Sequence, residues 1–352
     1  GLMSIRVKQP EGVPMRRATP ARALVIGAGA GGLSAALALL GAGWETTILE
    51  RAESPGGKMR QLASPLGGVD AGPTVFTMRW VFEEVFAAAG QSFCDHVTLQ
   101  PLSILARHHW RGSPIFDLPA APQAAIEAVA AFAGRAEADG FHRFLKDSAH
   151  IYQTLLRPFM AAQKPGPLDL AFRVGLSRLP ALAATQPFTT LWEALGAYFK
   201  DPRLRQLFGR YATYCGASPF QAPATLMLIA HVEQAGVWAV DGGMHALARA
   251  MANAFTQSGG QIIYDCEIAE ISVANGKANG ARTAKGEFLQ ADAIVFNGDA
   301  AALGGGLLGA AARTAGEKPR QRSLSALTWT GAVATGGLEL AYHNVFFGDA
   351  YR

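Results

Sequence analysis

The stretch that decides the fold runs from Ala23 to Glu50 and reads ALVIGAGAGGLSAALALLGAGWETTILE. A short apolar strand ends at Ile26 and meets a glycine-rich turn over residues 27–32. An Ala/Leu-rich helix follows, and a second strand ends on Glu50. This order of strand, turn, helix, strand and acid predicts a dinucleotide-binding βαβ unit.

Each glycine of this turn has a separate physical reason. We expect Gly27 to permit the sharp turn, Gly29 to let phosphates approach bare backbone, and Gly32 to let helix and strand pack closely. Glu50, at the tip of the second strand, is placed to accept hydrogen bonds from an adenosine ribose. The alternative, a glycine-rich loop without a ligand, fits this context less well.

The composition describes a globular chain that is long enough for two domains. It has 352 residues, of which 50% are hydrophobic and 16% are charged, and a mean hydropathy of +0.15. Residues 23–44 carry no charge and are long enough for a membrane span, but their Gly/Ala-rich middle favours the nucleotide turn. We therefore predict no transmembrane span.

The cysteines Cys94, Cys215 and Cys266 are odd in number and widely separated. They predict neither a disulfide framework nor a thiolate metal site, and they favour a reducing cytoplasm. No metal site is expected.

A basic tail precedes the first strand. Gly1 and Leu2, before Met3, look like the remnant of an expression tag. Residues 3–22 contain five basic residues, namely Arg6, Lys8, Arg16, Arg17 and Arg22, against the single acid Glu11. The tail is either a solvated arm or a segment attracted to anionic lipid. Nucleic acid is not expected, because the net charge of +4 is modest and no aromatic residues are interleaved.

The middle of the chain changes character. Residues 102–118 predict a β-hairpin around Arg111–Pro114. From Pro122 to His231 the apolar spacing is helical, and these stripes indicate either an ordinary core or an enclosure for a long hydrocarbon. Residues 261–264, 267–273 and 293–297 predict further strands.

A second glycine triplet stands at Gly304, Gly306 and Gly309. Its spacing matches the dinucleotide motif, but no strand feeds it directly and no later strand ends in an acid. We interpret it as a loop with helix-packing glycines.

Three further segments carry a family resemblance. They read PGGKMR at residues 55–60, DAGPTVFTM at residues 70–78, and GVW with a later GG at residues 236–243. Together with the opening turn and HNVFFG at residues 343–348, they resemble the bacterial phytoene desaturase-type carotenoid desaturases. Residues 72–90 look closest to the hydroxyneurosporene and methoxyneurosporene desaturases within that family.

The resemblance implies an α/β fold and FAD as the cofactor. A Rossmann-like FAD-binding domain with a parallel sheet is interrupted by a substrate domain with an antiparallel sheet and a large helical insertion. The implied ranges are a tail over 1–22, the FAD domain over 23–80 and 236–300, the substrate sheet over 81–121 and 301–352, and the insertion over 122–235.

The resemblance also implies a set of cofactor-binding residues. The pyrophosphate would lie on the first glycine turn, the adenosine ribose on the acid after the second strand, and the flavin ring near residues 72–74. The implied set is Gly27, Gly29, Gly31, Gly32, Glu50, Arg51, Gly57, Lys58, Arg60, Gly72, Pro73, Thr74 and, through its backbone, Ile268. The charges of Lys58 and Arg60 suit a pyrophosphate, although both could be solvated surface residues.

The activity implied is removal of two hydrogens from an acyclic carotenoid such as hydroxyneurosporene, methoxyneurosporene or phytoene. We expect a cytoplasmic enzyme bound peripherally to the inner membrane, with oxygen or a quinone as electron acceptor. The sequence selects no catalytic residue. Two alternatives are an amine-oxidase-like flavoprotein oxidase and a non-catalytic lipid-binding protein of the same fold, such as the inhibitors that sequester prenylated GTPases.

The resemblance breaks off at Arg352, because family members continue further. We therefore expect the chain to lack one wall of the flavin site, and the sequence leaves open whether FAD binds and the chain is active without it.

Overall fold

The computed structural model describes residues 20–161, 185–316 and 323–349. The strands, in chain order, are β1 Arg22–Ile26, β2 Glu45–Leu49, β3 Gln61–Ser64, β4 Gly67–Asp70, β5 Leu99–Pro101, β6 Ile104–His109, β7 Phe116–Pro119, β8 Trp238–Val240, β9 Gln261–Ile263, β10 Ile268–Ala274, β11 Lys277–Thr283, β12 Phe288–Gln290, β13 Ala293–Phe296 and β14 Asn344–Phe346.

The α-helices are α1 Ala30–Gly41, α2 Arg79–Ala88, α3 Pro122–Ala133, α4 Arg135–Leu155, α5 Leu191–Leu195, α6 Pro202–Gly209, α7 Leu228–Gln234, α8 Met244–Gln257 and α9 Ala300–Gly305. Short 3-10 turns cover Phe93–Asp95, Arg210–Cys215, Ala224–Met227 and Ala311–Ala315, and a π-helical turn covers Leu156–Met160. No helix in these described ranges has both the length and the apolar character needed to span a bilayer.

The chain divides into two compact units. Among the described residues, unit 1 comprises 20–60, 82–96 and 247–316, and unit 2 comprises 61–81, 97–161, 185–246 and 323–349.

Unit 1 contains a four-stranded parallel sheet in the order β13-β1-β2-β9. β1 lies in the middle, and Val25 pairs with Val295 on one side and Ile48 on the other. Residues 23–26 form a continuous apolar run because a central parallel strand is covered on both faces, and all four are buried. Beside this sheet, β10, β11 and β12 form an antiparallel sheet.

Unit 2 is built on helices and three small sheets, β14-β6-β7, β3-β4 and β5-β8. Along α4, Phe141, Phe144, Ile151 and Leu155 recur at helical spacing on one buried face. Phe144 lies with its ring 4.8 Å from that of Phe208 on α6. The apolar stripes of α4 and α6 therefore form the core of this unit.

Most predicted elements are present. The hairpin around Arg111–Pro114 is confirmed by the antiparallel pairing of β6 with β7. The glycine triplet at 304–309 was predicted as a loop with helix-packing glycines, and the structure places Gly304 within α9 and Gly306 at its C-cap with a φ of +85°. The hairpin formed by β3 and β4 was not predicted. β14 pairs parallel to β6, so only part of that sheet is antiparallel.

The compact units differ from the implied domain ranges. Residues 61–80 and 236–246 belong to unit 2, although the ranges place them in the FAD domain, and residues 82–96 belong to unit 1. Arg22, counted with the basic tail, is the first residue of β1. Residues 3–19 of the tail lie outside the described residues. The functional labels given to the ranges stay predictions.

Candidate functional site

The turn between β1 and α1 has the backbone that its glycines predict. Gly27 has a φ of +101°, a conformation that side-chain-bearing residues rarely adopt. Its N–H donates to the Leu49 carbonyl at 2.8 Å, which ties the turn to β2. Gly29 is the N-cap of α1 and has no side chain to accept from the first helical amides. These amides are a suitable site for an anion.

Gly32 lets the helix approach the turn. A Cβ atom at this position would lie 2.0 Å from the Gly27 carbonyl oxygen, a backbone atom that cannot move aside. The close packing predicted for Gly32 is therefore present in the structure.

Asn297 is a site residue that the sequence interpretation missed. It follows β13, whose last residue Phe296 pairs with Ile26 at the end of β1. A Cβ atom at Gly31 would lie 2.6 Å from the Asn297 side-chain oxygen, and one at Gly29 would lie 3.1 Å from its side-chain nitrogen. The available signal was a polar residue ending a strand parallel to β1, because such ends meet at one edge of the sheet.

Glu50 is buried at the end of β2, beside the turn. One carboxylate oxygen accepts from the Ala28 N–H at 2.6 Å, and the other accepts from the Ala52 N–H at 2.9 Å. A carboxylate has about four acceptor positions, so these bonds leave room for a ribose hydroxyl. Glu50 thus both supports the turn and remains a suitable ribose acceptor.

The second glycine turn packs on the first. The Gly56 N–H donates to the Ala28 carbonyl at 2.9 Å. Gly57 has a φ of +58°, and a Cβ there would lie 3.2 Å from the Gly29 Cα. The structure therefore brings Gly57 to the first turn. The other residues predicted near this turn, Arg51, Lys58 and Arg60, have exposed side chains.

These residues fit the pyrophosphate and ribose of a dinucleotide. The turn exposes bare backbone where side chains would clash, and the amides at the start of α1 have no side-chain cap. Ile268, by contrast, packs its side chain in the core of unit 1 with Leu24 and Leu49, which leaves its predicted backbone role a prediction. Among the described residues, no group of His, Cys, Asp or Glu side chains could hold a metal ion.

The remaining predicted segments meet in unit 2. The Asp70 carboxylate accepts from the Met244 N–H at 2.5 Å and from the His245 N–H at 3.2 Å. The Trp238 N–H donates to the Phe76 carbonyl at 3.1 Å. The loop containing Gly72, Pro73 and Thr74 therefore lies beside the segment 236–244, as the motifs suggest.

Unit 2 also contains a cavity of about 490 Å³. Its lining combines aliphatic and polar side chains, namely Val69, Asp70, Thr74, Val75, Leu105, Ala106, Arg210, Glu233, Val237, Tyr342, His343, Asn344 and Val345. This volume falls within the range of small-molecule sites.

A polar cluster around the buried Glu233 contributes Arg210 and Glu233 to the cavity wall. Glu233 accepts from the hydroxyl of Tyr211 at 2.7 Å and from that of Tyr214 at 2.5 Å. Burial and the neighbouring Glu233 carboxylate raise the pKa of both tyrosines, so they remain protonated donors. The Arg210 guanidinium lies 3.8 Å from Glu233. The cluster is a fixed carboxylate with a cation beside it.

Comparison with known proteins identifies a family and several similar proteins. The family described as flavin containing amine oxidoreductase matches residues 30–338. The chain is 48% identical over 333 residues to a hydroxyneurosporene desaturase of Rubrivivax gelatinosus, covering 94% of this chain and 63% of that protein. It is 47% identical over 342 residues to a hydroxyneurosporene desaturase of Cereibacter sphaeroides, covering 96% and 68%.

Among solved structures, a triple mutant of putrescine oxidase has the same fold, with a TM-score of 0.55 and 12% identity over 80% of this chain and 59% of that one. The chain spans about two thirds of the length of the two desaturases, 63% and 68%.

Proposed function

Since this chain belongs to the flavin-containing amine oxidoreductase family, and within it to the carotenoid desaturases, we propose that it desaturates an acyclic carotenoid. The proposed substrates are hydroxyneurosporene or a related acyclic carotenoid such as methoxyneurosporene or phytoene. One observation carries the proposal: the 48% identity to a hydroxyneurosporene desaturase extends over 94% of this chain. FAD is the cofactor of this family.

We propose that unit 1 binds the FAD. Backbone amides of Gly29, Gly31 and Gly32 hold the pyrophosphate, with Gly27 setting the turn, and Glu50 holds the adenosine ribose. Lys58, Arg60 and Arg51 neutralise the phosphate charge from the exposed surface around Gly57. This is supported by the open backbone of the turn and by the uncapped start of α1.

When bound, FAD supplies a hydride acceptor at N5, while the carbon next to the hydride donor loses a proton. The part proposed for this chain is orientation and exclusion of water. In unit 2, the aliphatic part of the cavity lining, which includes Val69, Val75 and Leu105, suits a hydrocarbon chain. Gly72, Pro73 and Thr74 are proposed to lie near the flavin ring, and the Ile268 backbone is proposed to contact adenine.

The test is desaturation in a host that makes several acyclic carotenoids. We expect products that have lost two hydrogens per new double bond and that absorb at longer wavelength, measured by absorption and mass. A Gly29→Val variant of equal abundance is the control and should give unchanged carotenoids. Unchanged carotenoids with the wild-type protein, folded and carrying FAD, would contradict the proposal. An amine oxidase would instead release hydrogen peroxide with amines.

We also propose a peripheral location on the cytoplasmic face of the inner membrane, with oxygen or a quinone as electron acceptor. The apolar substrate and the basic residues Lys8, Arg16 and Arg17 support this location. Deleting residues 3–20 should weaken flotation with anionic liposomes in low salt, and unchanged flotation would contradict it. Reoxidation of the reduced protein by a quinone in the absence of oxygen would distinguish a quinone acceptor from oxygen.

A further inference from the structure

We propose that Arg210, held in place by Glu233, recognises an oxygen substituent on the substrate and so sets a preference for oxygenated over hydrocarbon acyclic carotenoids. The ligand chemistry is a hydroxyl or ether oxygen near one end of a polyene chain. This inference rests on the proposed function, and it adds the residue that would determine substrate specificity.

Both residues lie in the wall of the cavity in unit 2. The Glu233 side chain is 6% exposed and that of Arg210 is 21% exposed. The rest of the lining is part aliphatic, with Val75, Leu105 and Val237, and part polar, with Asp70 and Asn344. Arg210 supplies the guanidinium of this wall.

Hydrogen bonding leaves Arg210 available to a ligand. Both carboxylate oxygens of Glu233 already accept from Tyr211 and Tyr214. The nearest guanidinium nitrogen of Arg210 lies 3.8 Å from that carboxylate, beyond an ordinary hydrogen bond. The guanidinium shares a hydrogen bond with the Tyr214 hydroxyl, whereas its buried Nε has no hydrogen-bond partner among the described residues. A guanidinium only donates, so its natural complement here is an oxygen acceptor.

Two partly buried ion pairs of this unit are closer than the pair of Arg210 and Glu233. In the same unit, Arg203 contacts Asp201 at 2.6 Å and Arg107 contacts Asp117 at 2.7 Å, the separations typical of charge-assisted hydrogen bonds. The Arg210 guanidinium lies farther from its carboxylate, Glu233, whose two oxygens each accept from a tyrosine hydroxyl. Its guanidinium also lies 5.4 Å from the Tyr211 ring centre, which helps to fix its position.

The preference follows from desolvation. A hydrocarbon end that enters the cavity displaces water from Arg210 and leaves buried donors without an acceptor, which is costly. A hydroxyl or ether oxygen replaces that water with a hydrogen bond to a charged donor. Sites of this kind discriminate mainly by rejecting the analogue that lacks the polar group.

The test compares two substrates of equal polyene length in the FAD-loaded holoenzyme on liposomes. One is hydroxyneurosporene and the other is the same chain without its hydroxyl. We expect wild type to favour the first in kcat/KM. Arg210→Met should reduce that preference on the order of 10- to 100-fold, the range for a hydrogen bond to a charged group.

Arg205→Met is the matched control. Arg205 is also an arginine of unit 2 with a buried Nε, and it lies 4.5 Å from the Trp192 ring, but it does not line the cavity. Its replacement should leave the ratio of the two kcat/KM values unchanged. If Arg210→Met lowers both values equally, or leaves the ratio at the wild-type value, the proposal is overturned.

Tyr214→Phe provides a second variant should Arg210→Met not fold. Tyr214 is 43% exposed, so the loss of its hydroxyl should be tolerated. The freed Glu233 oxygen would draw Arg210 closer and lower the preference several-fold, and an unchanged ratio would count against the proposal. A wild-type enzyme that desaturates neither substrate would overturn the proposed function as well, whereas desaturation of both with a ratio insensitive to Arg210 would overturn this inference alone.

Discussion

Replacing His108 by phenylalanine should reduce the dependence of the unfolding free energy on pH between 7.5 and 5. His108 lies on β6 and is fully buried. Its Nδ1–H donates to the Phe116 carbonyl at 3.2 Å, because a carbonyl can only accept. The other ring nitrogen, Nε2, has no partner among the described residues. The native site therefore holds a neutral imidazole.

Burial, and after it the positive charge of Arg210, lower the pKa of His108 from 6.5 to about 3. The Phe116 carbonyl and Asp117 oppose this shift, and His109 adds to it. Because the native pKa lies below the unfolded one, the unfolded chain binds the proton first as pH falls. Stability is complete above pH 6.5 and is lost toward pH 3, at about 1.4 kcal/mol per pH unit.

From pH 7.5 to 5, this single group should cost about 2 kcal/mol of unfolding free energy. The assay is urea unfolding at both pH values followed by tryptophan fluorescence, since the Trp110 ring stacks 6.1 Å from His108. His108→Phe keeps the aromatic packing but loses one hydrogen bond, so it should be less stable at pH 7.5 by about 1 kcal/mol. Between pH 7.5 and 5, the unfolding free energy of the variant should fall by about 2 kcal/mol less than that of wild type, because the other titrating groups are common to both proteins. Equal losses in the two proteins would refute the reasoning.

Three further predictions concern single positions. Phe208→Ala should lower the unfolding free energy by about 3–5 kcal/mol in urea unfolding, because the ring is buried at the centre of unit 2, and a change below about 1 kcal/mol would contradict that placement. Gly32→Ala should lower the thermal midpoint and the affinity for FAD together, since its Cβ would overlap the Gly27 carbonyl; a variant of normal stability would show that the helix does not pack as described. Asp70→Ala should lower the unfolding free energy by about 0.5–2 kcal/mol in urea unfolding, because two amides at Met244 and His245 lose their acceptor. Asp70→Asn should retain part of this stabilisation.

The sequence predicted the local features of unit 1 well. From β1 to Glu50 every element follows the previous one directly, so spacing alone determines which residues meet. The hairpin of β6 and β7 was also predictable, because Gly112 and Pro114 separate two short apolar runs. The hairpin of β3 and β4 was not, since Gly67 and Gly68 replace the β-branched residues that usually indicate a strand.

Contacts between distant segments could not be predicted from one sequence. Asn297 reaches the glycine turn only because β13 pairs with β1. The sequence shows that Asn297 follows a strand, but it does not show which strand is the neighbour. The bonds from Met244 to Asp70 and from Tyr214 to Glu233 likewise depend on how the helices of unit 2 pack. The parallel partner of β14 belongs to the same class of long-range contact.

The central claim is that the turn at residues 27–32 holds the pyrophosphate of FAD, and one binding titration tests it most directly. Gly29 has a φ of −72°, which a valine can adopt. A Cβ atom added there would lie 3.1 Å from the side-chain nitrogen of Asn297, which can move aside, so Gly29→Val should fold. The valine side chain should nevertheless block approach of the phosphates to the backbone. In a titration followed by flavin fluorescence, the account predicts saturable binding of one FAD per wild-type chain and loss of binding in a folded Gly29→Val variant. Equal FAD affinity in the two proteins would contradict it.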